Sequence, residues 1–197
     1  MFTGIVTAIG KIDKVVPRDG GLRLSIDAGM LDLSDVAVGE SIAVNGVCLT
    51  VIAERGDRFD VDVSQETVNC TVGLNAPNEA VNLEKSLRLS DRLGGHLMSG
   101  HVDGVGEVRR FEPAGDSFLL VIRAPHELAK YIARKGSITV NGVSLTVNRV
   151  IGAEFEINLI PHTIAVTNLK HLVTGSRVNL EVDLIARYIE RLQHYGA

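Results

Sequence analysis

Tryptophan is absent from the 197 residues, and aromatic side chains make up only 4% of them. With so few rings there is no stacking platform for single-stranded nucleic acid. A formal net charge of −4, where a nucleic-acid binder would show a basic patch, argues against such a partner a second time. No run of 18 apolar residues occurs, so no membrane-spanning helix is expected. The opening MFTGIVTAIGK puts no basic stretch ahead of its apolar residues and does not read as a signal peptide. Two cysteines without an export signal point to free thiols and a cytoplasmic location. A Gly-rich phosphate loop, a GxSxG elbow and a usable Ser-His-Asp order are missing too.

What is present is a repeat. Residues 44–51 read VNGVCLTV and residues 140–147 read VNGVSLTV, differing only at Cys48 and Ser144. The same offset of 96 brings Gly4, Val6 and Gly10 onto Gly100, Val102 and Gly106, and Phe59 and Thr67 onto Phe155 and Thr163. Beyond that the register slips by one, so that VNLEKSL at 81–87 meets VNLEVDL at 178–184. The chain is two copies of one unit of roughly 90 residues, each large enough for a modest core. The expected units are 1–89 and 96–183, with SDRLGG at 90–95 as linker and 184–197 as a terminal helix.

Each unit reads as short strands between turn residues. In the first these are FTGIVTAIGKI, LRLSI, SIAV, VCLTVI, FDVDV and VNLEKSL, which suggests a small six-stranded barrel. Asn45-Gly46 and Asn141-Gly142 are hairpin signals, because both residue types accept positive φ. A short helix is expected over 30–37, with HELAKYIAR at 126–134 as its stronger counterpart. Period-two alternation puts Val47, Leu49 and Val51 on one face and Cys48 and Thr50 on the other; Val143, Leu145 and Val147 likewise oppose Ser144 and Thr146. Downstream, Phe59, Val61 and Val63 oppose Asp60, Asp62 and Ser64. The same small polar pair on both copies points to a pocket rather than a merely wet face.

The last segment has helical spacing at Leu184, Ile185, Tyr188, Ile189, Leu192 and Tyr195. At this length it must dock, on its own barrel or against copies of itself. Among reactive groups, Cys48 sits on the polar face, and its thiol is the better nucleophile of the matched pair. Cys70 falls opposite Val166 and reads as core. His101 falls opposite Ile5, placing an imidazole where the first copy is apolar, and can move protons near neutrality. His96 reads as a surface or capping histidine. The spacing of His96 and His101 does not match a zinc pair, and no Cys or carboxylate cluster completes a set, so no metal is expected.

MFTGIV, VNGVCLTV, GGHLMSGHVDGVGEV, KGSITVNGVSLTV and LIPHT together resemble the alpha-subunit type of riboflavin synthase, over essentially the whole chain. The resemblance implies two tandem six-stranded Greek-key barrels, mainly β, and a homotrimer joined through the C-terminal helices. It implies that two molecules of 6,7-dimethyl-8-ribityllumazine exchange a four-carbon unit, giving riboflavin and 5-amino-6-ribitylaminouracil in the last step of riboflavin biosynthesis. No cofactor or metal is implied; an association with lumazine synthase is a possible further partnership. In the family the first barrel of one protomer meets the second barrel of its neighbour, so the duplication would hold two identical heterocycles face to face.

Carried over residue by residue, the first-barrel site uses Gly4, Ile5, Val6, Ser41, Cys48, Leu49, Thr50, Asp62, Val63, Ser64, Gln65, Glu66 and Thr67. The second uses Gly100, His101, Val102, Lys135, Ser144, Leu145, Thr146, Ile160, Pro161, His162, Thr163, Ile164 and Ala165, with Asp183 as a site carboxylate. Cys48, Ser144, His101 and Phe2 are the implied catalytic group. In it Cys48, Ser144 or a water they hold acts on the acceptor ring, and His101 assists proton removal from the 7-methyl group of the donor. Thr50 and Thr146 would hydrogen-bond the pyrimidine edge or the ribityl chain. Some members carry Asp where this chain has Asn141, an amide that keeps the turn but cannot act as a base. The alternative reading is a non-catalytic lumazine- or flavin-binding antenna of the same superfamily.

Overall fold

The computed structural model describes residues 1–195. The first half forms β1 (Ala8–Arg18), β2 (Gly21–Asp27), β3 (Ser41–Val44), β4 (Val47–Arg55), β5 (Arg58–Ser64) and β6 (Ala80–Lys85). The second forms β7 (Gly104–Ala114), β8 (Ser117–Arg123), β9 (Ser137–Val140), β10 (Val143–Ile151), β11 (Glu154–Leu159) and β12 (Arg177–Val182). Each set closes into an antiparallel barrel, in the order β1-β2-β5-β4-β3-β6 and its equivalent β7-β8-β11-β10-β9-β12. Strands that skip past their sequence neighbours in this way make a Greek key, and closure gives every strand a neighbour on both sides.

Alternation decides what fills each barrel. Val47, Leu49, Val51, Phe59, Val61 and Val63 are buried in the first, and Val143, Leu145, Val147, Phe155 and Ile157 in the second. The hairpins between β3 and β4 and between β9 and β10 turn on Asn45-Gly46 and Asn141-Gly142, all four at positive φ. Glycine is required there for a second reason. A Cβ on Gly46 would lie 2.7 Å from the nitrogen of Gly142, and the reverse holds equally, so the two turns meet back to back.

Around those turns a buried asparagine network joins the barrels. Asn82 donates to the Asn141 carbonyl and to Asn168 Oδ1, both at 2.9 Å, and its own Oδ1 accepts the Asn168 N–H. Asn179 does the corresponding work on the other side, accepting from the Val72 N–H and donating to the Val72 and Asn45 carbonyls. Asn141 Oδ1 accepts the Asn179 N–H at 2.8 Å, a bond within the second barrel that ties its hairpin turn to β12.

The helices depart from expectation. Residues 30–37 form turns instead of a helix. Leu31 and Leu33 are both buried, a two-residue rhythm unlike a helical face, and Asp32 accepts the Ser34 N–H in a local turn. Residues 126–131 make only a 3-10 turn. Two unanticipated short helices, α1 (Gln65–Cys70) and α2 (Pro161–Val166), follow β5 and β11; Ser64 caps α1 and Pro161 starts α2. Cys70 is exposed on α1, bonded to Glu66, so its expected core position is wrong; the equivalent Val166 is exposed as well.

The terminal helix α3 (Leu184–Gln193) is capped by Asp183, which accepts the Ile185 N–H at 3.0 Å. It docks on its own barrel through polar groups, Arg187 on Asp103 and Glu190 on Lys130 and Tyr131. Its apolar residues Ile185, Tyr188, Ile189 and Leu192, and Tyr195 just beyond it, all stay more than half exposed. Residues 196–197 of the expected helical segment lie outside the described residues. Among the described residues no helix is long and apolar enough to cross a membrane.

Candidate functional site

The segment leading into each barrel is shared with the other. Phe2 and Met98, one duplication apart, pair across the junction through bonds of 2.9 and 3.1 Å. From there the paths cross. The Cys48 N–H donates to the Gly100 carbonyl at 2.8 Å, and the Ser144 N–H donates to the Gly4 carbonyl at 2.9 Å. Val6 then packs on the second core and Val102 on the first. The expected partition is therefore corrected. The Gly4 carbonyl and Val6 meet the second barrel, and the Gly100 carbonyl and Val102 the first. A sequence offset reports equivalence between copies, whereas proximity depends on how the copies pack.

Two buried carboxylates hold these segments. Glu84 on β6 accepts from the N–H and hydroxyl of Thr3 and the N–H of Gly4, at 2.6 to 2.9 Å. Glu181 on β12 accepts the matching set from Ser99 and Gly100. Burial pushes both carboxyls above their ordinary range, and the donors only partly offset it. The sequence reading missed both, although a glutamate recurring inside the apolar VNLE of each half was the available signal.

Each barrel wall opens at the same place. Pairing of β4 with β5 ends at Val51–Val61, and pairing of β10 with β11 ends at Val147–Ile157. Beyond those points Cys48 to Thr50 face Asp62 to Ser64 across a split that continues into α1, and Ser144 to Thr146 face the end of β11 and α2. Unpaired strand edges bordering a gap offer backbone N–H and C=O groups to a flat heterocycle. Leu49, Val63 and Leu145 can contribute only that backbone, because their side chains fill the barrel interiors.

Among the expected side chains, Cys48 is half-buried, and Thr50 and Thr146 are exposed beside Ser41 and Ser137, their strand partners. Asp62 is held by both arms of Arg23 at 2.7 Å, a bond that keeps its carboxyl below the usual range and leaves it engaged. Ser64 caps α1 by accepting the Thr67 N–H, with Gln65 and Glu66 exposed on the helix. His101 is exposed, as are Ile160, Pro161, His162 and Ala165, while Thr163 and Ile164 are half-buried at α2. Lys135 holds φ at 66° where the first copy has Gly39 at 98°. A lysine in the left-handed region is strained, and such strain clusters at functional positions.

Two expectations change. Phe2 is fully buried with Ala43 and Met98, against Cys48, so its ring lies beneath the polar face. His96 is buried and bonded to Ser144 Oγ at 2.7 Å, the opposite of a surface histidine. A cavity of about 520 Å³ between the barrels, lined by Asn45, Asn141, Asn168, His171 and Arg177, and another of about 660 Å³ beside β6 include neither Cys48 nor Ser144.

Comparison with known proteins gives a consistent picture. The lumazine binding domain family matches residues 3–86 and again 99–183. Riboflavin synthase of Photobacterium phosphoreum is 45% identical over 193 residues, covering 98% of this chain and 88% of that one. The riboflavin synthase of Brucella abortus is 44% identical, covering 99% of each chain. Among solved structures, LumP complexed with riboflavin superposes with a TM-score of 0.83 at 31% identity, covering 92% of this chain and 99% of LumP. LumP complexed with 6,7-dimethyl-8-(1'-D-ribityl) lumazine gives 0.81 at 30%, with the same coverage.

Proposed function

The chain belongs to the riboflavin synthase family of duplicated lumazine-binding domains, and from that premise we propose that it is the transferase that converts two molecules of 6,7-dimethyl-8-ribityllumazine into riboflavin and 5-amino-6-ribitylaminouracil. The observation that carries this reading is the pair of matching wall openings, one edged by Cys48 and Thr50 and the other by Ser144 and Thr146. Two like openings suit a reaction between two like molecules. Each lumazine lays its pyrimidine edge along the free strand edge, and the small polar side chains meet the ring and ribityl chain.

His101 is exposed, as are Pro161, His162 and Ala165 on α2, and in this reading the two ligands of one chain do not meet each other. In this reading a homotrimer forms through the open apolar face of α3 and brings the first barrel of one protomer onto the second barrel of the next. Holding both rings in reacting geometry supplies much of the rate, because the lumazine stabilises its own carbanion. Cys48 and Ser144 orient or add to the acceptor ring, His101 assists loss of the 7-methyl proton, and Lys135 and Asp183 complete the polar surround.

Mixing the purified chain with the lumazine and following riboflavin absorbance tests the proposal. Stoichiometric loss of two lumazines per riboflavin is expected. Binding without conversion would instead make it a lumazine- or flavin-holding protein, which the likeness to LumP keeps in view.

A further inference from the structure

The two Asn-Gly turns that meet back to back also border the cavity of about 520 Å³ between the barrels. Asn45 and Asn141, one repeat apart, are only 4% and 7% exposed. Each holds a backbone N–H with its side-chain oxygen. Asn45 Oδ1 accepts from Asn82, and from the Asn168 side chain as well, while Asn141 Oδ1 accepts from Asn179. A backbone N–H can only donate, so these bonds fix which end of each amide is the oxygen. The other end, Nδ2, donates to no protein acceptor in either case among the described residues. Gly73, on the cavity wall, keeps the approach to one of these donors open, since a Cβ there would lie 3.1 Å from Asn45 Nδ2. Buried donors are seldom left without an acceptor, and two related ones beside one cavity point to an acceptor that a ligand supplies.

The rest of the lining says which kind. Aligned through VNLE, Glu79 and Ala80 of the first half correspond to Ser176 and Arg177 of the second, and all four border the cavity. The second half thus contributes a guanidinium where the first has a methyl group. Arg149 and Arg187 are held by Glu156 and Asp103, whereas Arg177 is exposed and makes no ion pair among the described residues. Two amide donors and a guanidinium lining one cavity suit an oxyanion, and the fork of arginine matches phosphate oxygens. The volume lies in the range of small-molecule sites and exceeds what one phosphate fills, which leaves room for a short polar organic part beside Asn78 and Ser176.

We propose that this cavity is a binding site for a small phosphate monoester, held by Asn45, Asn141 and Arg177 and separate from both wall openings. Its ligand touches both copies of the repeat, so binding tightens the junction that places Gly100 against Cys48 and Gly4 against Ser144. Glu79 is the one carboxylate of the lining; exposed to water, it weakens the attraction for an anion without cancelling it.

The test is calorimetric titration of the full chain with glycerol 3-phosphate, inorganic phosphate and glycerol at constant ionic strength, for wild type, Arg177→Gln, Glu79→Gln and Asn141→Asp. The monoester should bind more tightly than inorganic phosphate, and glycerol should give no heat. Saturation with the monoester should raise the melting temperature, because the ligand holds the folded state. Arg177→Gln should weaken binding about tenfold by removing a charge-assisted bond. Glu79→Gln should strengthen it roughly threefold, a gain that a merely structural glutamate would not give. Both side chains are exposed, so neither change endangers the fold. Asn141→Asp keeps an oxygen for the Asn179 N–H and turns the donor into a carboxylate oxygen, which should abolish binding; if that chain fails to fold, the two exposed variants decide the matter. No heat from either phosphate, or affinities that do not move in Arg177→Gln and Glu79→Gln, would overturn the site. Heat from inorganic phosphate alone would overturn the monoester as its ligand.

Discussion

The backbone N–H of Cys48 is held at 2.8 Å by the carbonyl of Gly100, a residue of the other half of the chain. Through this bond, and its twin between Ser144 and Gly4, neither polar face is complete within its own repeat. The glutamates beneath, the buried phenylalanine and the asparagine network all serve the same crossing, which makes the junction the place where substitution should be felt most.

Gly100→Ala should unfold the crossing. Gly100 has φ of +77°, and a Cβ there would lie 2.7 Å from Cys48 Cβ and 3.0 Å from Phe2 Cε2. Left-handed strain and overpacking together predict a loss of about 3 kcal/mol. Thermal melting should show a fall of roughly 10 °C for a chain of this size. An unchanged melting curve would refute the crossing as described.

Glu84→Gln should destabilise by about 2 kcal/mol, because an amide cannot accept from Thr3 and Gly4 with both of its ends. The pH dependence has a definite sign. A carboxyl raised in the fold contributes most below its ordinary range and loses that contribution as pH rises through the raised value. Chemical denaturation across pH should show this downward slope for wild type and a shallower one for the variant.

His96 titrates with the opposite sense. Its folded affinity for protons is lowered by burial, so its contribution to stability is present above the ordinary histidine value of 6.5 and is lost as pH falls below it. A His96→Asn chain should melt with less acid sensitivity in that window; identical acid limbs would exclude His96 as the source.

Lys135→Gly should raise stability by about 1 kcal/mol by relieving the left-handed lysine, as Gly39 does in the first copy. It should weaken lumazine binding in the second barrel at the same time. A gain in melting temperature with unaltered binding would make the strained lysine incidental.

Leu192→Glu on α3 should lower the mass of the assembly, measured by sedimentation, and abolish turnover while the barrels melt as before. Cys48→Ser, by contrast, should slow turnover with the assembly intact. Full activity of the leucine variant as a monomer would remove the need for a neighbour.

Much of this was legible in the residues. Alternation in VNGVCLTV and FDVDV sorted core from polar face correctly, because a strand's period is local and depends on no distant contact. Asn-Gly marked both hairpins for the same reason. The failures are equally physical. Residues 30–37 resemble a helix in sequence, yet Leu31 and Leu33 anchor a turn, and α1 and α2, at six residues each, carry too little periodicity to show. The alignment of Cys70 with Val166 suggests a core position, yet both are exposed.

By itself the sequence settled that there are two copies, what lies inside each barrel and where Cys48 departs from Ser144, since these follow from pattern along one strand. Only the packing of one barrel on the other decided that Gly4 serves Ser144 and Gly100 serves Cys48, that Glu84 and Glu181 are buried clamps, and that His96 stands behind a hydroxyl. Such pairings join residues far apart in the chain. Their energies come from burial and hydrogen-bond geometry, and neither exists until the halves meet.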